Sequence, residues 1–455
     1  MSKLRRDAAG GDPHVVVVGA GFGGLTAARD LAARGVSVTL VDRQNHHLFQ
    51  PLLYQVATAG LSPADIAAPI RTVLKDYKTL CVLMDEVTGV DHERHSISLA
   101  SGATLDYDAL VLATGARHSY FGNDQWEAHA PGIKTIDDAL QVRGRILSAL
   151  ETAETARQEN VESRDEYLTF VVIGGGPTGV EMAGAVAELT RHAADMDFRY
   201  ITRRCIRIVL IEGGPRLLAA FPAELGLSAV AALLSLDVEV MLAARVTGID
   251  GEGVMMGDVR LRAATVIWAA GVQASPAATW LGIAADRSGR VPVGPDLGVP
   301  GMAGVFVIGD TAAVVDVRGT TVPGVAPAAK QQGRYVARLI AAQASGQPAP
   351  PAFRYRNYGN LATIGRKRAV ADFGWARFSG IAAWVLWSTA HIYFLVGFRN
   401  RLVVGANWLW HYLTFDRGAR LITGAAARIA VRTARIPSVS DVGTVNPPVI
   451  ALTAA

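Results

Sequence analysis

Three glycines, Gly19, Gly21 and Gly24, stand in the run VVVVGAGFGG, and three more, Gly174, Gly176 and Gly179, in VVIGGGPTGVEMAG. Each set has G-x-G-x-x-G spacing, follows an apolar run and opens a helical pattern. Glycines so placed let main-chain N–H groups approach a diphosphate, and the following helix offers that charge free amides and a favourable dipole. An acid ends the next apolar run in each case: Asp42, 18 residues after Gly24, and Glu212. A carboxylate there accepts hydrogen bonds from ribose hydroxyls. At Glu212 it also repels a 2′-phosphate, which favours NADH over NADPH, although Arg216 nearby leaves that preference open.

The elements that position these residues are strand–turn–helix–strand units. One begins at His14–Val18 and the next at Thr169–Ile173, about 155 residues on. Three further apolar strands end in glycine: VLATG with Thr114 and Gly115, IWAAG with Gly271, and VFVIGD with Gly309 and Asp310. In this order the five segments resemble the two-dinucleotide flavoprotein oxidoreductases. The resemblance implies FAD in the first unit, NADH in the second, and Asp310 beside the ribityl chain and pyrophosphate of FAD. The expected fold class is α/β: two Rossmann-like domains, the NAD domain inserted into the FAD domain, and a C-terminal helical region that anchors to a membrane. The expected boundaries are 13–135 and 294–375 for the FAD domain, 136–293 for the NAD domain, 376–435 for the membrane-associated helices and 436–455 for a mobile tail.

Composition narrows the rest. A chain of 455 residues exceeds one ordinary core. Half its residues are apolar and the mean hydropathy is +0.25, high for a soluble enzyme and low for a polytopic membrane protein. The net charge of +4 is uneven. Residues 354–435 hold 13 Lys and Arg against 2 Asp and Glu, a local +11 that leaves −7 elsewhere. That distribution excludes a uniformly basic nucleic-acid binder and points to an anionic surface met at one end. The two cysteines, Cys81 and Cys205, are too far apart in sequence for a disulfide framework and read as small buried hydrophobes. No signal peptide is expected. His46 and His47 are adjacent on an extended segment and point to opposite sides, so no metal site is expected.

The segment NHHLFQPLLYQVATAG, Asn45–Gly60, follows the first ribose acid and contains no thiol. In the disulfide-reductase branch that segment carries a cysteine pair beside the flavin. Here electrons must leave to a small acceptor directly, with Pro51–Ala57 lining its pocket. The stretches HHLFQPLLYQVATAG, HSYFGND, IDDALQVRGRILSALE, GGGPTGVEMAGAVAEL, SGIAAWVLWSTAHIYFLVGFRNRL and YLTFDRGARLI resemble the type II NADH:quinone oxidoreductases, from about His14 to Ile422. The resemblance implies that Glu181 is the acid near the junction of nicotinamide, flavin and quinone; the residues alone also allow a helix-N-terminal Glu favoured by the dipole. In the family's Ala-Gln-x-Ala-x-Gln quinone motif, Ala326, Ala329 and Gln331 fit. Pro327 replaces the first glutamine, which leaves Gln331, the backbone or neighbouring groups to meet the quinone.

Residues 378–398 carry no charge over 21 positions, about 31 Å as a helix and long enough to cross a bilayer. Arginines at both ends and five tryptophans between 375 and 410 favour instead a pair of helices lying in the headgroup region. The reading is a peripheral flavoenzyme on the cytoplasmic face of the cell membrane. It passes two electrons from NADH through FAD to a membrane quinone without pumping protons, touches the bilayer surface through 376–435, and binds no nucleic acid. A homodimer is expected from the resemblance only. Two alternatives stand beside it: a soluble NADH-dependent reductase of a small iron–sulfur protein, and a flavin-binding redox-sensing scaffold with little turnover.

Overall fold

The structure is a computed structural model, and it describes residues 13–156, 161–414 and 419–422. The first unit runs β1 (His14–Val18), α1 (Phe22–Ala32), β2 (Ser37–Asp42), α2 (Leu53–Ala57), β3 (Leu80–Met84) and β4 (Ala109–Leu112). The second runs α3 (Ile136–Thr155), β5 (Thr169–Ile173), α4 (Pro177–Met196), β6 (Arg207–Ile211), α5 (Ala223–Leu234), β7 (Val238–Met241) and β8 (Thr265–Trp268). The chain then returns through β9 (Val305–Val307) and α6 (Ala326–Ala344).

Two parallel sheets result. The first has the order β9-β4-β1-β2-β3 and the second β7-β6-β5-β8. In each, the strand before the glycine loop lies at the centre, where both faces are covered. That is why Val15–Val18 and Phe170–Val172 are unbroken apolar runs rather than alternating ones. Strand β9 rejoins the first sheet beside β4 after the whole second unit has intervened. Helix α6 packs along α1 at a glycine contact: a Cβ on Gly333 would lie 2.4 Å from the Gly23 carbonyl oxygen.

Past α6 the chain forms an antiparallel sheet of β10 (Asn360–Gly365), β11 (Arg368–Asp372) and β12 (Arg377–Ser379), then α7 (Gly380–Phe394) and α8 (Phe398–Thr414). The sheet packs on α4 and α7. At Gly184 of α4 a Cβ would stand 2.1 Å from the Ile364 carbonyl, so only glycine lets helix and strand meet. The boundary expected at residue 375 falls inside this sheet, whose strands on either side pair with each other.

The uncharged run 378–398 is not one helix. Its first residues belong to β12, and α7 is 15 residues long, about 22 Å. Leu395 turns extended and Gly397 takes a φ of 89°, which stops the helix before α8 begins. Among the described residues no helix is long and apolar enough to cross a membrane. Ala383, Trp387, Val404 and Trp408 face the protein, while Ile381, Tyr393, Leu402, Leu409 and Trp410 are exposed. The expected mobile tail, 436–455, lies outside the described residues. Both cysteines correct the expectation of burial. Cys81 is exposed because it sits on the outward face of an edge strand, and Cys205 is half-exposed in a short turn.

Candidate active site

The two glycine loops have the same construction. Gly19 and Gly174 adopt φ values of 96° and 114°, and a Cβ on either would fall 2.5 Å from a carbonyl oxygen of Ala113 or Ala269. At Gly24 and Gly179 a Cβ would press into the carbonyls of Gly19 and Gly174, so the helix can approach its strand only with glycine there. Gly21 and Gly176 are different: nothing lies within 4 Å of their Cβ positions. They face open space at the N-termini of α1 and α4, a cradle at each helix that fits a diphosphate.

The strand-end acids are held by the same loops. Asp42 Oδ2 accepts the Ala20 amide at 2.5 Å and its Oδ1 that of Gln44 at 2.7 Å. Glu212 Oε2 accepts from the Gly175 amide at 2.5 Å and its Oε1 from Gly214 at 2.6 Å. Each carboxylate is thereby fixed at the mouth of its cradle with lone pairs left for ribose hydroxyls. Arg216 is turned away, donating to the carbonyls of Phe221 and Ala219 at 2.8 and 2.6 Å.

The other expected residues gather where β4, β8 and β9 end. Thr114 Oγ1 lies 2.5 Å from Ser275 Oγ, and Thr311 Oγ1 donates to the Gly115 carbonyl at 3.2 Å. Gly309 takes a φ of 72°, and Asp310 lies 4.0 Å from Lys134 Nζ. Gly271 packs under Phe121, where a Cβ would meet the ring at 2.6 Å. These residues fit a bound FAD: an open cradle at Gly21, a fixed acid at Asp42 and a polar strand-end cluster around Thr114, Gly309 and Asp310.

Gln331 does not join this cluster. Its amide is spent on one backbone, donating to the Arg356 carbonyl and accepting from the Arg356 amide, both at 2.9 Å. The adjacent Gln332, which sequence reasoning passed over, is 2% exposed and accepts the Gly309 amide at 2.6 Å. The signal was there: Ala328, Ala329, Gln332, Val336 and Leu339 form the buried stripe of α6, and Gln331 lies about 100° round the helix from Gln332.

A cavity of about 900 Å³ opens on the other side of α4. Glu181 projects into it from the early turns of α4, with Tyr54, Gln55 and Thr58 contributed by α2 and its end, and Trp384, Trp387 and Trp408 by α7 and α8. The Thr363 amide donates to Glu181 Oε1 over a long 3.4 Å. Burial raises the Glu181 pKa to about 8, opposed only in part by that hydrogen bond. Trp387 is stacked between His391 at 4.1 Å and Trp408 at 5.4 Å, and Trp408 Nε1 donates to Gln55 Oε1 at 2.9 Å. His47 is buried with Nδ1 2.7 Å from the Ala20 carbonyl, and burial lowers its pKa to about 4, so it is a neutral support of the first loop. His46 lies on the opposite, partly exposed side. Among the described residues no three His, Cys, Asp or Glu are arranged to hold a metal.

The family model described as pyridine nucleotide-disulphide oxidoreductase matches residues 13–333, and that described as the NDH2 C-terminal domain matches 358–417. The chain is 44% identical over 430 residues to the type II NADH:quinone oxidoreductase Ndh of Mycobacterium tuberculosis, covering 91% of each. It is 28% identical to the internal alternative NAD(P)H-ubiquinone oxidoreductase A1 of Arabidopsis thaliana, covering 88% of this chain and 84% of that one. Its fold matches the structure of NDH2 from Plasmodium falciparum in complex with NADH, with a TM-score of 0.82 at 21% identity, over 91% of this chain and 100% of that chain. The family's disulphide chemistry has no counterpart at 45–60, where there is no cysteine, but the matches run through both nucleotide units and on into the sheet and helices beyond them. The chain therefore belongs to the type II NADH:quinone oxidoreductases, within the pyridine nucleotide-disulphide oxidoreductases.

Proposed function

We propose that this protein passes two electrons from NADH through FAD to a membrane quinone, without moving charge across the bilayer, and that the quinone ring is reduced in the cavity around Glu181. FAD, when bound, supplies the two-electron carrier between the nicotinamide and the quinone. The chain's own residues bind, orient and supply protons. Gly176 and Glu212 seat the NADH diphosphate and ribose, and Gly21, Asp42 and Asp310 seat FAD.

The observation that carries the proposal is the place of Glu181 in a cavity whose lining combines Trp384, Trp387 and Trp408 of the two C-terminal helices with basic side chains such as Arg191, Arg366 and Arg368. With its pKa raised to about 8, Glu181 holds a proton at neutral pH and is suited to give it to a reduced quinone oxygen. The aromatic wall suits a flat ring, and α7 and α8 give that ring a path from lipid. Gln331 is assigned a supporting part, holding the Arg356 backbone beside α6. The exposed face of α7 and α8 is assigned to a bilayer surface because apolar and tryptophan side chains there are bordered by Arg377, Arg399 and Arg401. The side of the membrane follows the same reasoning: the basic C-terminal stretch suits the cytoplasmic leaflet. A homodimer remains an expectation of the family resemblance.

Purified protein in detergent tests the reading through NADH oxidation with a short-chain quinone and, separately, with a ferredoxin-like protein. Quinone-dependent turnover with no response to the iron–sulfur protein is expected. The reverse pattern would replace quinone by a protein acceptor, and slow flavin bleaching by NADH would favour a scaffold.

A further inference from the structure

Four cations lie near one another on three helices: Arg29 on α1, Lys330 and Arg334 on α6, and Arg401 in the first turn of α8. Lys330 Nζ lies 5.1 Å from the ring centroid of Phe22 and 5.1 Å from that of Phe394. Phe22 opens α1 directly after Gly21, and Phe394 ends α7. Arg334 follows Lys330 by one helical turn on the same face of α6. Arg29 lies on α1, which packs along α6 at the Gly23–Gly333 contact, and its charge reaches Lys330. Arg401 Nε donates to the Leu395 carbonyl at 2.8 Å, and its guanidinium lies 6.0 Å from the ring of Tyr393.

Charge at this spot is not balanced. Among the described residues the one carboxylate ion-paired with any of the four is Asp30, 3.1 Å from Arg29. Burial, and repulsion from Arg334, Arg29 and Arg401, lower the Lys330 pKa to about 8. The faces of the two rings offset only part of that cost to the ammonium. A cluster so placed offers an anion several charge-assisted hydrogen bonds at once. Its neighbours decide which anion: Tyr393, Phe394 and Leu402 are 67%, 49% and 59% exposed, on the face assigned above to the bilayer. The anion that stands at that level is a lipid phosphate.

We propose that Arg29, Lys330, Arg334 and Arg401 bind the phosphate of an anionic phospholipid headgroup. The site seats the α7–α8 face on the membrane in one orientation, and through Phe22 it joins the headgroup to the first glycine loop. The proposal rests on the membrane reading given above, and its test separates the two.

Flavin-loaded wild-type protein, the double variant Lys330→Gln/Arg334→Gln and a control of equal charge change, Lys78→Gln/Arg318→Gln, are sedimented with vesicles. One set is phosphatidylcholine alone and the other contains phosphatidylglycerol. Each lysine or arginine near an anionic surface contributes about fivefold in affinity, so the double variant should lose roughly tenfold or more on the anionic vesicles. The control should lose less than about twofold, since both its residues are exposed and outside the cluster. Flavin content and melting temperature confirm that each variant is folded. Equal losses in the two variants would overturn the site and leave only net charge. Displacement of wild-type protein from anionic vesicles by millimolar inorganic phosphate at constant ionic strength, with the double variant unaffected by lipid type, would make it a free-anion site and overturn the lipid assignment. Wild-type protein that binds neither vesicle would remove the membrane reading itself.

Discussion

Trp408 donates its indole N–H to Gln55 across 2.9 Å, joining the last described helix to the short helix that follows the first ribose acid. The two residues are 353 positions apart, and both line the cavity that holds Glu181. The hydrogen bond makes α8 part of the wall of that cavity as well as part of the face proposed to meet the membrane. Replacing Trp408 by Phe keeps the stack on Trp387 and removes only the donor. The expected cost is about 1 kcal/mol of stability. KM for a short-chain quinone should rise several-fold, while the rate of flavin bleaching by NADH stays unchanged. Steady-state and stopped-flow kinetics on one preparation check both.

The part proposed for Glu181 links activity to pH. A proton drawn from its carboxyl is available below about 8 and lost above it, so quinone turnover should fall as pH rises through that value. Stability moves the same way. The folded pKa of about 8 lies above the ordinary 4.5, so folding binds this proton. The contribution is fully present below about 4.5 and is lost as pH rises toward 8. Glu181→Gln should therefore melt at a higher temperature than wild type at pH 8, with the difference shrinking toward pH 5. Thermal scans across that range would contradict the buried-acid assignment if the difference were flat.

Glu212 holds two loop amides, at Gly175 and Gly214, and faces the second cradle. Glu212→Gln leaves an acceptor and a donor where two anionic oxygens stood, and it removes the repulsion toward a 2′-phosphate. KM for NADH should rise about tenfold, and the preference for NADH over NADPH should narrow by a similar factor. Arg216, turned onto carbonyls of its own loop, should not take over as a phosphate ligand. Measured kcat/KM for the two nucleotides decides this.

Gln331 and Gln332 offer a paired test. Gln332→Ala strands the Gly309 amide beside Asp310 and should cost about 1–3 kcal/mol. It should also lower the flavin retained after gel filtration. Gln331→Ala loses bonds to a partly exposed backbone and should cost under about 1 kcal/mol with flavin content unchanged. Equal behaviour of the two variants would contradict the assignment.

The contrast between these neighbours shows what sequence could and could not reveal. Glycine spacing and strand-end acids are local signals, and Gly19, Gly24, Gly174 and Gly179 stand where close backbone approach demands them. The thiol-free segment at 45–60 was equally readable, because it rests on residue type alone. Motif register points to Gln331, whereas the buried role of Gln332 shows only in the helical periodicity of α6. The long uncharged run looked like one element because hydropathy does not see a turn at Gly397. The cavity was out of reach. Its walls come from α2, α4, the β10–β11 hairpin and α7–α8, and contacts such as that of Thr363 with Glu181, 182 residues apart, exist only after the units pack.

If quinone takes its proton from Glu181, its reduction must slow when that carboxyl is replaced. The most direct measurement mixes NADH-reduced wild-type protein and Glu181→Gln with a short-chain quinone in a stopped-flow instrument and follows the return of flavin absorbance. Fast reoxidation of wild type is expected, and a rate lower by about 100-fold or more in the variant, with reduction by NADH alike in both. Reoxidation at the same rate in both proteins would remove Glu181 from the chemistry, and no reoxidation of wild type by quinone would contradict the account as a whole.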